Sequence, residues 1–120
     1  MKDFKNFKKI WKAEYEMKID SSAASIWEII TKPKNLELVH PFCKSNETIN
    51  WPGVGSKDIL IYHSGLKYIR EFLTWDKEKG YSLLIGEKNK DRSYVVWNIF
   101  KRENVNYLKI TVYPYFLRDY

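Results

Sequence analysis

From Pro41 to Pro114 the chain shows no helical periodicity: it is a series of short runs rich in Ile, Val, Tyr, Phe and Trp, each ended by a few turn residues. This property restricts the fold more than any other. Strands that return after so few residues pair antiparallel, because a parallel crossover needs a dozen or more residues and usually a helix. Strands are expected near 44–50, 56–64, 66–75, 81–87, 93–102 and 107–113. The intervening turns fall at 51–55, Ser64-Gly65, 76–80, 88–91 and 103–106, and each carries Gly, Asn or Asp where the backbone must reverse.

Upstream of this region the pattern is different. Trp11, Ala13, Tyr15, Met17 and Ile19 alternate with Lys12, Glu14, Glu16 and Lys18, the signature of a half-buried strand. Asp20, Ser21 and Ser22 then offer N-cap oxygens, and Ile26, Trp27, Ile29 and Ile30 follow at helical spacing before Pro33, so a helix is expected over 22–32. Asn35 can cap a second, short helix through Leu36, Leu38 and Val39 that ends at Pro41. One strand, two helices and six further strands make an α+β fold. A chain of 120 residues is sized for one such domain, here residues 11–120 behind a basic lead of residues 1–10.

The order of elements resembles the START-like, polyketide-cyclase and birch-pollen-allergen superfamily. The residues that carry the resemblance are Ile19-Asp20-Ser21-Ser22-Ala23-Ala24-Ser25-Ile26-Trp27-Glu28-Ile29-Ile30, similar to that family's entry from first strand to first helix. Pro33 to Pro41, Gly53-Val54-Gly55 and Phe72-Leu73-Thr74-Trp75-Asp76 before Gly80 follow in the same order. The resemblance spans about residues 11–114. It implies a helix-grip fold, a curved antiparallel sheet of six to seven strands with two short helices after the first, and a cavity for a hydrophobic small molecule or lipid. The family's long C-terminal helix is expected to be absent, since six residues follow Pro114 and make under two turns. On that expectation the open face of the sheet is closed by a second copy of the chain, by the N-terminal segment folded back, or by a helix of a longer natural product.

Candidate ligand-lining residues come from the aromatics of the strands, Tyr62, Tyr68, Phe72, Tyr81, Tyr94, Trp97 and Phe100, about half of which must face inward. With the family's cavity in view the ligand set is Tyr62, Tyr68, Arg70, Phe72, Tyr81 and Trp97. Arg70 is in phase with Tyr68 and Phe72. Facing inward it would meet an anionic head group. Facing outward it is a surface cation, and the outward reading is preferred because no partner for a buried guanidinium is evident.

No catalytic, metal or cofactor site is expected. His40, His63 and Cys43 lack the further partners that a nucleophilic or metal centre needs. No phosphate, dinucleotide, hydrolase or zinc-protease motif occurs, and Gly53-Val54-Gly55 reads as a turn. A cyclase-type enzyme of the same superfamily is the alternative to a binding module.

The net charge of +6 does not point to nucleic acid, because Lys2, Lys5, Lys8, Lys9 and Lys12 against Asp3 account for +4 of it and the remainder holds 16 basic and 14 acidic residues. Phe4, Phe7 and Trp11 would lie on one side of a short helix in the lead, which is read as a solvated tail before a membrane-surface anchor. With no long apolar span, no secretory core and one cysteine, a soluble cytoplasmic protein is expected.

Overall fold

The structure is a computed structural model that describes residues 12–39 and 43–114. Seven strands, β1 (Ala13–Ile19), β2 (Cys43–Asn50), β3 (Lys57–Tyr62), β4 (Lys67–Asp76), β5 (Gly80–Gly86), β6 (Ser93–Arg102) and β7 (Val105–Tyr113), form one antiparallel sheet in the order β1-β7-β6-β5-β4-β3-β2. Two helices, α1 (Ala23–Ile30) and α2 (Asn35–Val39), connect β1 to β2, which are the two edges. The α+β helix-grip architecture expected from the sequence is the one observed. His40 and the lead with Phe4, Phe7 and Trp11 lie outside the described residues.

Residues opposite one another in an antiparallel pair point to the same side, so the registers define two faces. One carries Met17, Leu108 and Ile99, then Tyr15, Ile110, Trp97, Tyr81 and Trp75, then Ala13, Val112, Val95, Leu83 and Phe72, and finally Ile85, Arg70 and Asp58. Most of the core belongs to this face, which α1 covers with Ile26, Trp27 and Ile30 and α2 with Leu36. The other face holds Glu14, Glu16, Lys109, Asn98 and Phe100.

α1 begins where Ser22 Oγ accepts the backbone N–H of Ser25 at 3.1 Å. It ends at Ile30, two residues before the expected end. The Thr31 N–H closes its last turn on Trp27 O at 3.0 Å, and side chains add further bonds to the carbonyls at this end. The Thr31 hydroxyl donates to Trp27 O at 2.6 Å, the Tyr81 hydroxyl to Ile30 O at 2.9 Å, and the Trp51 indole to Thr31 O at 2.9 Å. The helix is thus fastened both to the middle of the sheet and to the β2–β3 loop.

β1 departs from expectation. It is not half-buried, for Tyr15 is 59% and Met17 45% exposed, because it lies at the sheet's edge beyond the helices' cover. A second departure is a register shift between Phe72 and Thr74. This bulge at Leu73 moves Trp75 onto the same face as Phe72, whereas uninterrupted alternation would have turned it outward.

The β5 strand starts at Gly80, with φ of +147°, and a Cβ there would collide with the backbone carbonyl of Trp97. Only glycine fits. The β6–β7 hairpin is different: Arg102 pairs with Val105 around the two-residue loop Glu103-Asn104, both with positive φ (51° and 67°). That loop geometry favours Asn-Gly, and a non-glycine residue pays about 1–2 kcal/mol in the left-handed region. The double replacement Glu103→Asn and Asn104→Gly is expected to raise stability by about 1 kcal/mol, seen as a rise of roughly 4–8 °C in the thermal midpoint.

Candidate functional site

All six sequence-chosen residues, Tyr62, Tyr68, Arg70, Phe72, Tyr81 and Trp97, share the helix-covered face. The remaining two aromatics of the larger set do not. Tyr94 stacks on Tyr113 and Phe100 on Tyr107 across the outer face, at centroid separations of 5.7 and 5.5 Å.

Within the inner face the six fall into two groups. Phe72, Tyr81 and Trp97 belong to a packed aromatic cluster under α1, with exposures of 1%, 2% and 6%. Trp75 is its hub: it stacks on Tyr81 at 5.4 Å and meets Trp27, Trp51 and Phe72 edge-on at 5.5, 5.3 and 5.5 Å. Each such pair adds about 0.5–1.5 kcal/mol beyond area burial. Tyr62 and Tyr68 stand at the other end, beside the β3–β4 turn, edge-on at 5.4 Å and only half-buried.

Arg70 joins the two groups, and it corrects the outward reading: it faces inward, 2% exposed. Its partner is Asp58, directly opposite on β3 and fully buried. Arg70 Nε donates to Asp58 Oδ1 at 2.8 Å and Nη2 to Oδ2 at 2.5 Å. Nη2 also reaches Asn35 Oδ1 at 3.4 Å, while the guanidinium carbon lies 4.9 Å from the centre of the Phe72 ring. Burial works against the charge, but the two bonds to Asp58 outweigh it and hold the guanidinium above its usual pKa.

The network extends to both helices and to the β2 edge. Asn46, on β2 and buried, donates through Nδ2 to Asp58 Oδ2 at 3.0 Å and to Ile59 O at 3.1 Å. Its Oδ1 accepts the Leu36 backbone N–H at 3.2 Å, and its own N–H donates to Glu37 Oε2 at 2.8 Å. α2 is therefore held by polar bonds at its first three residues. Arg70 Nη1 and Ser56 Oγ are buried without a hydrogen-bond partner at good geometry, and the Tyr81 hydroxyl lies close enough to favour the Arg70 charge. Burial raises the Tyr81 phenol well above its ordinary value despite Arg70, so it stays a neutral hydrogen-bond donor.

Asp58, Asn46, Asn35 and the tryptophans at 27, 51 and 75 were not among the sequence-chosen residues. A signal for Asp58 existed, since a hairpin centred on Ser64 places residue 58 opposite residue 70. Trp75 had none, because its orientation depends on the bulge.

His63 is exposed in the β3–β4 turn, and Cys43 is buried at the start of β2, its thiol donating to Ser45 O at 3.2 Å. Burial pushes the Cys43 thiol up, which removes the thiolate that reagents attack. Iodoacetamide is expected to modify native Cys43 at least about tenfold more slowly than the denatured chain, as followed by intact-mass spectrometry.

Breaking the buried pair on one side leaves an uncompensated charge or acceptor, at a cost of about 3–5 kcal/mol. Asp58→Asn is expected to lower the denaturation free energy by that amount. Arg70→Lys should not rescue it, since an ammonium cannot make the two-pronged contact. The apolar double replacement Asp58→Leu with Arg70→Met should recover most of the loss in chemical denaturation, because it removes both charges together.

No protein-family model matches the sequence, and none of the curated proteins is significantly similar to it. Solved structures do share the fold. Protein Ms6760 from Mycobacterium smegmatis superposes with a TM-score of 0.68 at 16% identity, over 90% of this chain and 77% of that one. The ginseng major latex-like protein 151 from Panax ginseng gives 0.66 at 16% identity, over 85% and 76%. The Aha1 dimer from Colwellia psychrerythraea gives 0.66 at 13% identity, over 85% and 75%. At these identities the likeness establishes the fold.

Proposed function

We infer that this chain, which has the helix-grip fold of the START-like and birch-pollen-allergen proteins, binds an apolar small molecule or lipid against the inner face of its sheet. The observation that carries the reading is the common facing of Tyr62, Tyr68, Arg70, Phe72, Tyr81 and Trp97, which makes the helix-covered side of the sheet rich in aromatic rings, as small-molecule sites are. Their burial divides the labour. Phe72, Tyr81 and Trp97 form a packed floor and α1 a fixed wall, whereas Tyr62 and Tyr68 are only half-buried and offer ring surface for contact with a ligand. Arg70, already engaged by Asp58, acts as a neutralised pair rather than as a free cation, which favours an uncharged or weakly polar ligand over an anionic head group.

Binding is tested with two uncharged fluorescent probes, N-phenyl-1-naphthylamine and Nile red, together with native mass spectrometry of the purified chain. Saturable binding is expected. Replacing Tyr62 and Tyr68 together by Ala should weaken it by about tenfold, the equivalent of roughly 1.4 kcal/mol, while Phe100→Ala on the outer face leaves it unchanged. Absence of saturable binding to either probe, or equal loss in the two variants, would remove this reading.

A further inference from the structure

The two edges of the sheet are not alike. β2 carries register shifts between Cys43 and Ser45 and between Thr48 and Asn50, which break the straight row of backbone donors and acceptors that another strand would need. Its outer-face Glu47 is held by Lys34 at 3.2 Å. β1 has no shift: Ala13 to Ile19 pair with Val112 to Asn106 residue for residue, and the described sheet ends there with the strand's other side unpaired. Tyr15 and Met17 lie on this strand with 59% and 45% exposure.

The charges of β1 select a partner. On its outer face Glu14 pairs with Lys109 at 2.5 Å and with Lys12 at 3.2 Å, and Glu16 with Arg102 at 3.2 Å. Lys18 and Asp20, further along, make no ion pair among the described residues. A second β1 laid antiparallel beside the first, on a two-fold axis at Glu16, sets Lys18 against Glu14 of the other copy and Asp20 against Lys12, each twice by symmetry. On the inner face the same register sets Tyr15 against Met17, also twice. Moving the axis to Tyr15 opposes Glu14 to Glu16 and Lys12 to Lys18. Moving it to Met17 opposes Glu14 to Asp20. Among these three registers only the axis at Glu16 unites opposite charges at all flanking positions, and the like pair it leaves, Glu16 with itself, is the one that Arg102 already compensates.

We propose that two copies of this chain associate through β1, antiparallel about Glu16, into one continuous fourteen-stranded sheet, roughly twice the seven strands of a single copy. The occupant of the edge is a second copy because the strand is complementary to itself in charge and in its apolar pair, and a two-fold contact requires such self-complementarity. The inference is independent of the ligand reading.

Sedimentation velocity of the full chain at about 10–100 µM tests it, with circular dichroism confirming the fold of every variant. The native chain is expected to be dimeric. Glu14→Lys alone and Lys18→Glu alone each place like charges opposite one another at two symmetric positions and should each raise the dimer dissociation constant about tenfold. Mixing these two variants makes every flanking pair opposite again, and a heterodimer should form with near-native affinity. A native chain that is monomeric at 100 µM overturns the proposal, as does a Lys18→Glu chain that dimerises like the native one. Should Glu14→Lys fail to fold, the Lys18→Glu result decides alone.

Discussion

The structure hangs on a charge pair removed from water. Arg70 and Asp58 face each other across the β3–β4 hairpin, and neither can be solvated where it lies, so each requires the other. That requirement spreads outward. Asp58 needs further donors and obtains one from Asn46. Asn46 in turn satisfies the opening N–H of α2, and Asn35 of that helix closes the circuit on Arg70. A helix of five residues has little stability of its own. Here it is positioned by hydrogen bonds to two strands, β2 through Asn46 and β4 through Arg70, instead of by its length.

The second helix is secured by different means. α1 presents Ile26, Trp27 and Ile30 to the sheet, and the carbonyls of Ile30 and of its C-cap Thr31 accept from Tyr81 and Trp51, so apolar packing and end-capping act on the same short helix. The tryptophan hub at 75 completes this attachment, and it is available only because one extra residue in β4 rotates it inward. Aromatic packing at one end and half-exposed tyrosines at the other give the inner face a closed half and an accessible half.

Much of this was legible before any coordinates. The alternation of β1, the cap at Ser22, the stops at Pro33 and Pro41 and the turn residues between strands all act locally, within a few residues of the positions they decide, and they led to the right elements in the right order. Period two gave the common facing of Tyr68, Arg70 and Phe72, which sit in a regular stretch of β4. The failures have a common cause. The inward course of Arg70 depends on a partner twelve residues away, the course of Trp75 on a bulge, and the exposure of Tyr15 and Met17 on where the helices stop covering the sheet. Each is a fact about pairing between segments, which a reading of single segments undervalues. For Arg70 the information was present, because the hairpin arithmetic about Ser64 brings opposite charges together.

The irregularities of β2 also limit how large any assembly of this chain can become. A sheet with two regular edges can add copies at both ends without limit, which is the geometry of a filament. Here one rim is regular and the other is interrupted twice, so a partner that occupies the regular rim leaves only interrupted rims facing outward. Growth through the sheet then terminates at the first addition, and the same two bulges that bend one strand serve as its stop.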